Sequence, residues 1–289
     1  MRYKVCGRSI FLKLAPDFLF NQGNLQDFVD CRRRFWLRYI RKLAWPAIPS
    51  EPVLENEQQV QLGALFHRLA HQYWLGLPAN RLQAIAEEAQ IGEWWLHFNT
   101  IAKLKDQHGL VLYPEINLST KLDSASLVGK FDLLAIATDG QATLYDWKTS
   151  RKRPPSQWLH QRVQTRLYPF LLVHAGSYLS QVGSLLPEQV SMAYWFVAFP
   201  DRPEWIPYNQ AQFQADESYL RELVETIRTF DDADFHQTID ENKCAYCIYR
   251  SLCERGVKAG QLAELEDTDL ASDGFGFSID FDQISEILF

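Results

Sequence analysis

Residues 127–149 read LVGKFDLLAIATDGQATLYDWKT, two β-like runs with Asp139-Gly140 between them. An Asp-Gly pair flanked by apolar runs is a strong hairpin signal, so Leu127–Ala137 and Ala142–Thr149 are expected to pair as antiparallel strands. Side chains alternate along a strand, which puts Asp146 and Lys148 on one face and Trp147 on the other. A carboxylate beside an ammonium suits a dry core poorly, yet Leu144, Tyr145 and Trp147 around the pair are apolar. At the end of a buried strand this arrangement suits metal-dependent phosphodiester hydrolysis. Asp132 and Asp146 would hold a hard divalent cation through oxygen, and the cation would lower the pKa of bound water. Lys148 would orient the attacking water or stabilise the charge that develops. A lone D-x-K is also met as an ordinary surface ion pair, so the surrounding chain has to decide.

Working outward, Val111–Leu118 reads as a third strand of the same meander, and Val190–Phe199 as a buried strand. Helical periodicity covers 24–43, Glu57–Leu75, 79–90, 92–107, about 156–180 and 213–230, with Trp45-Pro46 through Pro52 as a break. The expected architecture is an α/β core behind a helical front section. Two helical motifs flank these strands along the chain, one upstream and one downstream. Gly63-x3-His67 offers an imidazole that can complete a site preferring Mn²⁺ or Mg²⁺. Gln164-x3-Tyr168 presents an amide and a phenol on one helix face, where they can contact a nucleotide. His67 and His71 also stand four apart, as in a zinc-binding helix, but lack the adjacent glutamate of H-E-x-x-H.

Four of the five cysteines form a further pattern. Cys244, Cys247 and Cys253 read C-x2-C-x5-C, and a tetrahedral thiolate site needs a fourth ligand. Cys31 is the candidate, because it opens an arginine-rich helical segment; Cys6 is left as a free thiol. Iron–sulfur and zinc both remain open on spacing alone. Clustered cysteines in a reducing compartment favour metal over disulfides, and a cytoplasmic location is expected. No apolar run approaches the ~20 residues of a membrane-spanning helix, and the start carries no cleavage signal.

The net charge of −7 is unevenly spread. Residues 262–289 hold eight acids and no Lys or Arg, so the rest of the chain carries a net +1. Arg32, Arg33, Arg34, Arg38, Arg41 and Lys42 form one basic run, and Lys148, Arg151, Lys152 and Arg153 another. Local patches set the field a polyanion meets. Arg32, Arg33, Arg34, Arg38, Arg151 and Lys152 are therefore the candidate DNA contacts, although a solvated helix face is the plain alternative for a basic run. The chain is expected to form one domain over 1–260 and an acidic, flexible tail over 261–289. The tail reads as disordered, as a partner-docking segment, or as a DNA mimic lying over the basic cleft. Under the last reading its deletion raises DNA affinity or cleavage rate, which a binding titration and a rate measurement check.

The ordered set Cys31, Gly63-x3-His67, Glu115, Gly129-x2-Asp132, Asp146-x-Lys148, Gln164-x3-Tyr168 and C-x2-C-x5-C resembles the RecB-like branch of the PD-(D/E)xK nuclease superfamily. Within it the chain is similar to the iron–sulfur members, the CRISPR-associated RecB-like exonucleases and AddB-type nuclease domains, over about Leu25 to Glu254. The resemblance implies a restriction-endonuclease-like core, a mixed central sheet flanked by helices, with a C-terminal iron–sulfur clasp. It implies His67, Asp132 and Asp146 as Mg²⁺ or Mn²⁺ ligands, Lys148 as catalytic, Gln164 and Tyr168 as substrate-holding, and Glu115 as a further acid of the site. Cys31, Cys244, Cys247 and Cys253 would ligate a 4Fe–4S cluster. The expected function is a metal-dependent DNA exonuclease acting on ends, single-stranded by preference, in DNA repair, recombination or CRISPR adaptation. A helicase or a CRISPR adaptation protein is the expected protein partner. The alternative is a non-catalytic iron–sulfur or zinc DNA-binding subunit of a helicase–nuclease assembly. Two features depart from the resemblance: His71 stands where a glutamate often follows, and the extra helix at 79–107 and the acidic tail lengthen the chain beyond compact CRISPR-associated members.

Overall fold

A six-stranded sheet forms the centre of the computed structural model, which describes residues 14–43, 53–181, 183–245, 247–256 and 260. Its strands are β1 (Leu19–Phe20), β2 (Leu110–Leu122), β3 (Ala125–Ala137), β4 (Ala142–Lys148), β5 (Val190–Phe196) and β6 (Glu204–Pro207). The helices are α1 (Gln22–Asp30), α2 (Arg32–Phe35), α3 (Val53–Trp74), α4 (Ala79–Glu88), α5 (Gly92–Ala102), α6 (Ser156–Gln161), α7 (Val163–Ala175) and α8 (Gln210–Thr229). Cys6, the break at 44–52 and the tail at 261–289 lie outside the described residues. Among the described residues no helix is long and apolar enough to cross a membrane.

The meander forms as its turn chemistry dictates. β2, β3 and β4 are successive antiparallel neighbours, and Asp139-Gly140 closes the second hairpin, with the Gln141 amide donating to Asp139 Oδ1 at 3.0 Å. β5 returns parallel to β4 after α6 and α7, and β6 closes the edge antiparallel to β5. One edge of β3 pairs with β2 along its length. The other edge is shared, β4 taking Leu133 to Ile136 and β1 taking Ser126 and Leu127. The stretch between, which includes Asp132, is unpaired on that side. A fork therefore opens between β3 and β4.

Both faces of the sheet are covered, giving a mixed α/β layering consistent with a restriction-endonuclease-like fold. Leu167, Phe170 and Leu171 of α7 join Phe28 of α1 and Leu220 of α8 in one core with Leu127, Phe131 and Leu144. Phe66 and Leu69 of α3, Leu82 of α4 and Trp95 and Phe98 of α5 form a second core with Tyr145, Trp147 and Trp195. In the second, Trp147 meets Phe98 edge-on at 6.1 Å and Trp195 at 5.8 Å. Such aromatic pairs contribute about 0.5–1.5 kcal/mol each beyond the area they bury.

Two expected helices are divided. The periodic run over 24–43 breaks at Cys31, whose backbone is extended (φ −159°, ψ 106°) between α1 and α2, and it continues as a π-helical turn over Trp36–Ile40. The run over 156–180 breaks at Arg162, likewise extended (ψ 142°), and ends after a 3-10 turn at Ser177–Leu179. In the second case the Val163 amide at the start of α7 donates to Gln26 Oε1 of α1 at 3.0 Å, a cap supplied from far along the chain.

Candidate active site

The fork between β3 and β4 gathers most of the chemistry-bearing side chains. Asp132 stands on β3 where the next rung with β4 would fall, and its Oδ2 accepts the Trp147 amide at 2.7 Å. That carboxylate takes the place of a ladder carbonyl, so the strands separate without stranding a buried N–H. Asp132 also marks a change of phase. Leu127 and Phe131 face the α7 side, whereas beyond Asp132 it is Leu134 and Ile136 that do, with Leu133 and Ala135 facing α3–α5. β2 changes phase at the opposing residue. Ile116 and Leu118 face α7 and Leu110 and Leu112 face the other core, with Glu115 between them in a left-handed conformation (φ 51°). A non-glycine residue held there costs about 1–3 kcal/mol, and strain of this size is characteristic of functional positions.

Close approach by α3 brings an imidazole to the fork. A Cβ on Gly63 would stand 2.8 Å from Thr149 Oγ1, just past the end of β4, so only glycine allows α3 to lie this near. One turn later His67 Nδ1 lies 2.9 Å from Asp132 Oδ1. Ligand atoms of His67, Glu115 and Asp132 all fall within 4.8 Å of one another. Two carboxylates and an imidazole are a donor set that fits Mn²⁺ or Mg²⁺. We expect Gly63→Ala to cost about 1–2 kcal/mol by overpacking, in spite of the better helix propensity of alanine. Gly63→Ala with Thr149→Ala regains the loss, which urea denaturation checks.

Asp146 and Lys148 share the α7 face, as the alternation requires, while Trp147 points into the opposite core. The Lys148 ammonium lies 2.9 Å from Asp146 Oδ2 and donates to Gln164 Oε1 at 3.1 Å. Gln164 Nε2 donates to Asp146 Oδ1, so the three side chains close a ring. All three are buried, and the Tyr194 ring lies 5.3 Å from the ammonium. Asp146 is not part of the 4.8 Å donor group; its carboxylate is engaged by Lys148 and Gln164, while Glu115 stands in the group. Tyr168 packs edge-on to Phe131 at 4.7 Å, in room that Gly129 leaves, since a Cβ there would stand 3.2 Å from Tyr168 and 2.6 Å from Leu171. Burial first, then the Asp146 and Asp132 carboxylates, pushes the Tyr168 hydroxyl well above its ordinary range. It therefore remains a neutral phenol.

Sequence reasoning missed Tyr194 and Thr165. The Tyr194 hydroxyl lies 2.7 Å from Thr165 Oγ1 and 3.5 Å from Gln164 Oε1, buttressing the amide that holds Lys148. Tyr194 is the parallel-register partner of Asp146, a signal visible only after β4 and β5 are paired. A second addition is Glu204 of β6. It takes Arg153 at 2.5 Å and also accepts from Ser156, fixing the loop that carries Arg151 and Lys152 outward.

The basic front run needs correction. Arg34 does not face solvent: its side chain is buried, with Nε 2.6 Å from Asp27 and Nη2 3.2 Å from Asp30. Burial would lower its pKa, but those two carboxylates outweigh it and keep the guanidinium charged. Arg38 is half-buried against Asp27 at 2.7 Å. Arg34 is thus engaged inside the fold, and Arg38 is paired with Asp27 with part of its side chain exposed. Arg33 lies over the Trp36 ring at 4.2 Å, and Arg32, Arg151 and Lys152 are exposed.

Arg34 also borders a cavity lined by Cys31, Cys244, Cys247 and Cys253, all of them free thiols although Cys31 and Cys244 lie more than two hundred residues apart. Burial pushes the Cys247 thiol up to about 11, partly offset by Arg34. Burial, then Cys31, raises Cys244 and Cys253. Asp30 ties this region together, accepting Lys243 at 2.8 Å as well as Arg34. Burial raises its carboxyl, but Arg34, Arg162 and Lys243 outweigh that and hold it below the usual carboxylate range. A depressed folded pKa stabilises the protein above the unfolded value near 3.8, and this is lost as pH falls through the folded value. Asp30→Asn is therefore expected to cost about 3 kcal/mol at pH 7 and to flatten the acid limb below about pH 4 in a denaturation series.

Comparison with known proteins bears on this geometry. A model of the PD-(D/E)XK nuclease superfamily matches residues 20–254. The chain belongs to that superfamily. The match spans every strand but the outer half of β1's Leu19–Phe20 pair, and it includes the fork and all four cysteines of the cavity. PD-(D/E)XK nucleases use divalent metals such as Mg²⁺ or Mn²⁺, which the His67–Glu115–Asp132 group fits. Among solved structures, SSO0001 is similar at 16% identity over 81% of this chain and 85% of that one, with a TM-score of 0.42. No curated protein matches.

Proposed function

We propose that the chain is a divalent-metal-dependent deoxyribonuclease of the RecB-like iron–sulfur branch, an exonuclease acting on DNA ends, preferentially single-stranded. The observation that carries this reading is the fork. It joins a metal-fitting donor group (His67, Glu115, Asp132) to a buried lysine held by Asp146 and Gln164. A divalent ion, when bound there, supplies Lewis-acid charge and makes water a stronger nucleophile. Asp132 is positioned by the Trp147 amide on Oδ2 and by His67 on Oδ1. Asp146, beside that group, fixes Lys148 and is the further carboxylate available to the ion. Lys148, beside Asp146, would place its ammonium on the scissile phosphate or its attacking water. Gln164 and Tyr194 hold that ammonium in place, and Tyr168 offers a phenol donor beside it.

The exposed Arg32, Arg151 and Lys152, with Arg33 on Trp36, are the proposed DNA contacts. Cys31, Cys244, Cys247 and Cys253, which line one cavity, would ligate a 4Fe–4S cluster, a clasp joining the front helices to the segment after α8, with zinc as the competing occupant. One nuclease domain would span 1–260, followed by the acidic tail at 261–289, in a cytoplasmic protein working with a helicase or CRISPR adaptation partner. Linear and covalently closed DNA incubated with Mn²⁺ test the end requirement. Release of mononucleotides from linear DNA with closed circles spared is the expected result. Nicking of circles removes the exonuclease reading, and no cleavage of either leaves the DNA-binding subunit.

A further inference from the structure

We propose that Lys130 is a tethered counter-cation of the metal-fitting group, neutralising Glu115 while no metal is bound and leaving that carboxylate when a divalent cation enters. The proposal rests on the nuclease reading of the fork and adds a residue that tunes its metal affinity.

The three donors are not served alike. Asp132 is held on both oxygens by groups fixed within the fold, the Trp147 amide at 2.7 Å and His67 Nδ1 at 2.9 Å. Glu115 instead forms an ion pair with Lys130. The Glu115 side chain is 13% exposed and that of Lys130 60%, so a largely buried carboxylate is balanced by a cation at the surface. The contrast with Lys148, 5% exposed and held by two buried partners, is plain.

Glu115 has little freedom to escape this arrangement. Its left-handed backbone directs the chain at the phase change of β2, opposite Asp132. Two carboxylates drawn within ligand distance repel each other, and the lysine relieves that repulsion in the metal-free protein. A dication taking the same three donors would repel an ammonium on Glu115. The lysine end of the pair is open to solvent, which screens and weakens it, so the exchange is easy. The released ammonium stays on β3, at the exposed side of the group, where it would be open to a phosphate. Metal loading and presentation of a phosphate-binding cation are thereby coupled.

Calorimetric titration of Mn²⁺ into the full chain tests this without any need for cleavage. Lys130→Met should bind Mn²⁺ about three-fold more tightly than the wild type, and Lys130→Arg should match the wild type. The difference should narrow as salt rises from about 50 to 300 mM, because the lysine end of the pair is exposed. Mn²⁺ should also raise the melting temperature of Lys130→Met by more than it raises that of the wild type, with Lys130→Gln as a second charge-free variant. Equal or weaker Mn²⁺ binding by both charge-free variants overturns the counter-cation and leaves the nuclease reading standing. A wild type that binds no Mn²⁺ overturns both.

Discussion

Asp146→Asn is expected to lower Mn²⁺-dependent DNA degradation by about a thousand-fold, the scale seen when one preorganised electrostatic group is removed. The same substitution is expected to destabilise the protein, because an amide leaves the buried Lys148 ammonium without its carboxylate. Breaking a buried pair from one side costs about 3–5 kcal/mol. Lys148→Met leaves the complementary defect, a buried Asp146 charge partnered by Gln164. The double variant removes both charges and regains most of the stability, since a buried ion pair contributes little net over an apolar replacement. Activity does not return with it. That split separates a catalytic pair from a structural one, and urea denaturation beside a cleavage assay reads it directly.

Cys31→Ala and Cys247→Ala are expected to give colourless protein that melts roughly 10 °C lower and is poorly soluble. A group ligated by Cys31 and by the cysteines beyond α8 closes a loop of more than two hundred residues, and long closures restrict the unfolded chain most. By analogy with a covalent cross-link over such a loop the gain is about 4 kcal/mol, and each kcal/mol moves the midpoint by about 2–4 °C in a chain of this size. With Cys247 raised to about 11 by burial, the metal-free thiol is protonated at neutral pH, so occupancy displaces its proton. A visible absorption band in the wild type, absent from both variants, marks iron–sulfur; zinc by elemental analysis with no colour marks the other occupant. Unchanged colour and melting temperature in either variant remove the cluster.

The parts of this site that were legible in sequence are the parts set locally. Asp139-Gly140 specifies its hairpin wherever the rest of the chain goes, and period-two alternation puts Asp146 and Lys148 together. Gly63 and His67 belong to one helix turn. What escaped was set by contacts distant in sequence. The apolar period runs unbroken through Cys31 because α1 and α2 pack on the same core, with Phe28 and Phe35 meeting edge-on at 5.6 Å. α7 starts where Gln26 caps it, and no local signal carries that bond. Glu115 gives no hint of its backbone, whereas the run Leu133-Leu134-Ala135-Ile136, apolar at every position, does reflect a sheet covered on both faces. Arg34 is the instructive error. A count of cations cannot tell a surface arginine from an interior one, but Asp30 four residues earlier and Asp27 one turn before that were the available signal.

The central claim, that the fork between β3 and β4 is a metal-dependent nuclease site, meets its most direct test in end-labelled linear DNA. Wild type, Asp146→Ala and Lys148→Ala are incubated with it in Mn²⁺, and in excess chelator. Label release by the wild type in Mn²⁺ alone, and none by either variant, is the expected result. Equal release by all three proteins, or release that survives the chelator, would contradict it.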